Sequence, residues 1–75
     1  MTLREIVGNN LRRLRQAKGL SQEELADLAG VNRNYIGMLE RSENAATVDM
    51  LERLAVVLQV SAVDLLSESK QSTRD

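Results

Sequence analysis

The chain contains no cysteine, no histidine and no proline, and its only aromatic residue is Tyr35. Each absence closes off a class of answers. Without cysteine no disulfide can staple the fold, and the composition suits a reducing compartment. Without histidine the commonest general base and metal ligand are missing. With neither residue type, a zinc site has no plausible ligands. The expectation is a protein that is not an enzyme and takes no metal and no cofactor. No apolar run approaches the roughly 20 residues that cross a bilayer. The opening "MTLREIVGNN" has no signal-peptide pattern. A cytoplasmic protein without a membrane partner is therefore expected. Seventy-five residues leave no space for a separate ligand domain, so no small-molecule ligand is expected either.

What is present is Leu, Ala, Val, Glu and Arg in abundance, a mixture that favours helices throughout. A single domain this short buries only about 60% of its unfolded surface, so its margin of stability is small and partner subunits often supply what is lacking. The net charge of −1 argues against indiscriminate affinity for nucleic acid. Its distribution argues otherwise. Residues 1–20 hold Arg4, Arg12, Arg13, Arg15 and Lys18 against Glu5, a local +4. Residues 21–40 hold Glu23, Glu24, Asp27 and Glu40 against Arg33, a local −3. A dipolar molecule of this kind can present one basic face.

Capping signals divide the chain into five helices. Thr2-Leu-Arg-Glu5 reads as a capping box. Leu3, Ile6, Val7, Leu11 and Leu14 then recur at helical spacing, and Gly19 ends the run. A first helix over about 2–18 follows. Ser21-Gln-Glu-Glu24 is a second capping box, and Gly30 stops that helix after about two turns. Asn32 can cap a third helix over about 33–41, with Val31, Tyr35, Ile36 and Leu39 facing inward. Two helices joined by a short glycine-containing turn make a helix-turn-helix. Thr47 can cap a fourth helix over about 48–58, whose inner stripe is Leu51, Leu54, Ala55 and Leu58. Ser61-Ala-Val-Asp64 can start a last short helix ending near Leu66. The expected architecture is a compact all-α, five-helix domain over residues 1–67, with 68–75 a flexible tail that lacks an apolar anchor.

These residues carry a resemblance. "LRRLRQAKGLSQEELADLAGV" and "YIGMLER", within a match spanning about 6–66, resemble the Cro/phage-repressor type of helix-turn-helix domain, also called XRE-like. "VNRNYIG" with "ERSENAATVDMLERLA" is most similar to the controller proteins of restriction–modification systems. The resemblance implies a transcription regulator that binds double-stranded DNA as a homodimer on a pseudo-palindromic operator. A phage-like repressor, an antitoxin, or a protein-interaction module without DNA binding are the competing readings. One departure stands out. The family often carries Gly and Pro after the third helix, where this chain has Ser42 and Ala46, so the turn after Arg41 is open.

The resemblance also implies roles. The start of the third helix is where a recognition helix meets base edges in the major groove. Asn32, Arg33 and Asn34 sit there, Arg being suited to guanine and Asn to adenine. Asn32 can equally do no more than cap. Gly37, one turn later, costs up to about 1 kcal/mol against Ala inside a helix. A bare backbone there could let DNA approach closely, or could relieve packing against another helix. Met38 could touch a thymine methyl. Gln22, Arg12, Arg13, Tyr35 and Arg41 are the implied phosphate ligands, which position a protein without reading sequence. Arg15 and Glu40 match a partly buried salt bridge between the first and third helices. Met50, Val57, Val60, Val63 and Leu66 lie beyond the inner stripe of the last two helices and are the candidate dimer interface, unless the fifth helix folds back over them.

Overall fold

A computed structural model describes residues 1–68. The tail expected over 68–75 lies outside the described residues apart from Glu68. Five helices follow one another: α1 Leu3–Ala17, α2 Gln22–Ala29, α3 Arg33–Glu40, α4 Val48–Leu58 and α5 Ala62–Leu66. Among the described residues there is no strand.

The starts are set by side-chain oxygens that satisfy free N–H groups. Thr2, Ser21 and Ser61 form reciprocal capping boxes with Glu5, Glu24 and Asp64. Thr47 accepts from the Met50 N–H, and Asn32 from the Asn34 N–H. The ends of α1 to α4 share one geometry. Leu20 N–H reaches Arg15 O, Val31 N–H reaches Ala26 O, Glu43 N–H reaches Met38 O, and Val60 N–H reaches Ala55 O. Each is the long 6→1 bond of a Schellman turn, which requires a left-handed residue just before the donor. Gly19 and Gly30 supply that residue for α1 and α2, at φ of 70° and 71°. Ser42 and Gln59 supply it for α3 and α4, at φ of 64° and 61°, without glycine's freedom. The turn after Arg41 is thus the glycine-type turn, built with serine.

The inward stripes converge on one core. Leu11, Leu25, Ile36, Leu39, Leu54, Leu58 and Leu65 are its largest fully buried side chains. Each such burial contributes about 1.5–3 kcal/mol. α1 packs on α3 and α5, α2 on α3 and α4, and α4 on α5. Leu3 departs from the stripe expected of it. It is 62% exposed, beside an exposed Met1, because nothing in the described chain covers the first turn of α1.

Two contacts set how the helices meet. Gly8 is buried in α1 against the end of α3. A Cβ added there would lie 2.6 Å from the Leu39 carbonyl oxygen and 3.0 Å from that of Glu40. Only a glycine lets the two backbones come this close. At the other end, the buried Asn10 amide donates to Leu65 O at 3.0 Å and to Ser67 O at 2.7 Å. It satisfies carbonyls that the five-residue α5 leaves without helical partners, and so ties α5 to α1.

Candidate nucleic-acid interface

The helix-turn-helix is α2, a three-residue turn and α3. Ile36 and Leu39 anchor α3 on the core, which leaves its first turn facing solvent. Arg33 and Asn34 are exposed there. Asn32 is exposed too, but its Oδ1 accepts from the Asn34 N–H at 2.7 Å. Its oxygen is occupied by capping, and its amide nitrogen is the group that projects. Tyr35 and Met38 are half-buried, Tyr35 packing on the core.

The far end of α3 is held by a buried polar network. Arg15 Nε donates to Glu40 Oε2 at 2.6 Å and Arg15 Nη2 to Glu40 Oε1 at 3.0 Å. Arg15 Nη1 donates to Leu20 O at 2.7 Å. Gln22 Nε2 adds a bond to Glu40 Oε1 at 3.1 Å. The two side chains are 10% and 4% accessible. This two-toothed geometry is the strong form of an Arg–carboxylate pair. Its hydrogen bonds to Glu40 raise the Arg15 pKa above the ordinary value, against the opposing effect of burial. The network joins α1, the turn after it, the first residue of α2 and the last residue of α3. Gln22 therefore buttresses the recognition helix from the N-terminus of α2, where free N–H groups also favour an anion.

Gly37 is covered by side chains in the free protein. It is buried rather than open to solvent. A Cβ there would meet Arg41 Nη1 at 3.0 Å and Gln22 Oε1 at 3.7 Å, side chains and not backbone being its nearest neighbours. Two flexible polar side chains cover it. Arg41, one turn on, folds back across the bare backbone. It is held by Glu43, with Nε to Oε2 at 3.0 Å and Nη2 to Oε1 at 3.2 Å. That hydrogen bonding moves the Arg41 pKa up and the Glu43 pKa down. Arg12 is exposed, and Arg13 is exposed with Nη2 donating to Asn10 Oδ1 at 3.2 Å. Gln22, Gly37 and Arg41 thus share one patch. Arg12 and Arg13 lie on α1, apart from that cluster of contacts.

The proposed dimer residues divide. Met50, Val57 and Val60 are half-buried and pack on the molecule's own core, so they are the members of the set that help complete it. Val63 and Leu66 are 65% and 38% exposed, so α5 does not fold back over them. Val56, not singled out in the sequence, is 72% exposed on α4. Its signal was available, since it is an apolar residue off the Leu51–Leu54–Leu58 stripe.

Three other residues escape a reading by motif. Gly8 looks like an ordinary helix-weakening glycine. Asn10 gives a clue, a polar residue on the apolar stripe between Val7 and Leu11. Glu43 looks like one loop charge among several. Among the described residues, no three His, Cys, Asp or Glu side chains are grouped so as to hold a metal ion.

A family model described as Helix-turn-helix matches residues 11–65. The control protein C.SmaI of Serratia marcescens is 42% identical over 67 residues, covering 89% of this chain and 80% of its own. The crystal structure of the restriction-modification controller protein C.AhdI from Aeromonas hydrophila superposes with a TM-score of 0.80 at 40% identity, over 83% of this chain and 94% of that one. The N-terminal DNA binding domain of SinR from Bacillus subtilis superposes with a TM-score of 0.81 at 35% identity, over 87% and 96%. SinR has also been solved in complex with DNA.

Proposed function

The chain belongs to the helix-turn-helix family and is a DNA-binding transcription regulator, and we propose that within this class it is the controller protein of a restriction–modification operon. In this reading residues 1–67 form the DNA-binding domain of a cytoplasmic homodimer. The dimer reads a pseudo-palindromic operator and activates or represses according to its dose. The observation that carries it is the first turn of α3, where Arg33 and Asn34 stand exposed on a helix whose other end is fixed by the Arg15–Glu40–Gln22 network. A rigid frame with polar side chains at a helix start is what base readout in the major groove needs. The similarity to C.SmaI and to the controller protein C.AhdI supports the finer assignment.

Roles follow from the positions. Arg33 and Asn34 read base edges, with the Asn32 amide and Met38 beside them. Gln22, Tyr35 and Arg41 take phosphates flanking that turn, and Arg12 and Arg13 take more distant ones. The test is a mobility-shift titration on DNA from upstream of the protein's own gene, against random duplex of equal length. Arg33→Ala is expected to lose discrimination at one base position per half-site, by about 1–3 kcal/mol. Equal weakening on both duplexes would reduce Arg33 to a phosphate ligand, and no preference by the wild-type protein would sink the operator reading.

A further inference from the structure

The Arg41–Glu43 pair sits on the face assigned above to phosphate. Its geometry is not that of a casual surface contact. Glu43 is the residue that closes the Schellman turn, its N–H bonded to Met38 O at 2.9 Å, with Ser42 left-handed before it. The backbone therefore fixes where the Glu43 side chain starts, two residues from Arg41. Its two oxygens take Nε and Nη2 of the guanidinium. The third nitrogen, Nη1, lies over Gly37, 3.0 Å from where a Cβ would be. Both ends of the guanidinium are accommodated, one by a carboxylate and one by a missing side chain.

A carboxylate and a phosphate present the same pair of oxygens to an arginine fork. Among the described residues the ion pairs are Arg15–Glu40 and Arg41–Glu43. The first is buried, whereas in the second both side chains are about half exposed, at 55% and 53%. A pair that open to water exchanges partners readily.

We propose that Glu43 is an internal competitor for DNA phosphate, holding Arg41 across Gly37 in the free protein and giving it up when the backbone of the duplex arrives. The proposal rests on the DNA-binding reading. Glu43 then subtracts from affinity for any duplex, specific or random, because phosphate contact carries no sequence information. Binding is left to depend more on the base contacts of α3. The acidic residue lowers occupancy of specific and non-specific sites by the same factor, leaving the ratio between them to the base contacts. Gly37 acquires a reason beyond backbone approach, since a side chain there would push Arg41 out of the resting position.

The test is a double-mutant cycle. Glu43→Gln, Arg41→Gln and the double variant are titrated with upstream and random duplexes over a range of salt. Glu43→Gln is expected to tighten binding to both duplexes by about two- to fivefold, the scale of one exposed ion pair. Its salt dependence should steepen by up to about one unit of log–log slope, because no carboxylate is left to recapture a cation. In the Arg41→Gln background the same substitution should change little. An equal gain in both backgrounds would make Glu43 a bare repelling charge and overturn the competition. So would no gain in the wild-type background. The 15N resonance of Arg41 Nε–H, compared between wild type and Glu43→Gln, reports the pair without DNA. If that signal responds while none of the four proteins binds any duplex, the DNA reading itself has failed, and the competition falls with it.

Discussion

Arg15 and its neighbours on α1 show how little a charge says about its role until its surroundings are known. Arg12 and Arg13 are exposed, while Arg15 is buried against Glu40. Arg15→Ala leaves a carboxylate that is 4% accessible without its main partner, a loss of about 3–5 kcal/mol. Arg12→Ala and Arg13→Ala fall within the small range of surface changes. Thermal melting of the three variants checks this, and equal midpoints would mean that the network does not stabilise α3. The opposite sign is expected at Ser42 and Gln59. Both are non-glycine residues held left-handed, a conformation that costs an L-residue roughly 1–2 kcal/mol. Ser42→Gly and Gln59→Gly should each recover part of this and raise the melting midpoint by a few degrees, about 4–8 °C per kcal/mol for a domain of this size. A fall at either position would show that its side chain contributes more than its backbone strain costs. At Gln59 the candidate is the bond from Lys18 Nζ.

At the scale of elements, α5 is the shortest piece and buries the fewest residues. It has five residues, one fully buried side chain in Leu65, and the two bonds from Asn10. Asn10→Ala strands the Leu65 carbonyl in a buried setting and removes the partner of the Ser67 carbonyl, a loss of about 1–3 kcal/mol. Hydrogen exchange should show the amides of α5 opening well before those of α3 or α4. Uniform exchange across the helices would mean that Leu65 alone docks α5. The helices themselves were legible in the sequence because each start is a local signal. The boxes at Thr2, Ser21 and Ser61 and the caps at Asn32 and Thr47 need only their own neighbours. Gly19 and Gly30 announced two of the ends. The ends at Ser42 and Gln59 carried no such mark, since the left-handed turn is imposed there on residues that do not favour it. The exposed polar start of α3 was also legible, because capping and the inward residues fix its phase. Gly8 and Asn10 were not, since what they touch lies about thirty to fifty-seven residues away along the chain. The cover over Gly37 was hidden for a different reason. Helical phase tells which way a residue points, but not that Arg41 would fold back upon it.

For the whole molecule, the expected assembly is a two-fold homodimer through α4 and α5, with its recognition helices about 34 Å apart in successive major grooves. The exposed Val56, Val63 and Leu66 are the apolar groups available for it. Val63→Asp or Leu66→Asp should give folded monomers with much weaker operator binding, since neither side chain is buried in the protomer. Val57→Asp is the contrasting control. It is half-buried on the core, so it should damage the fold itself. Sedimentation at micromolar concentration decides the matter: a wild-type monomer that binds its operator tightly and without cooperativity would rule out the dimer. The close seating of Gly8 on the end of α3 has a consequence for how such a protein can change over generations. The nearest contacts there are backbone against backbone, so side-chain substitution has little hold on the angle between the two helices. The exposed residues 33 and 34 face no such constraint. A lineage can alter which sequence it reads one residue at a time while the frame stays fixed, and new specificities then lie a single mutation from a folded ancestor.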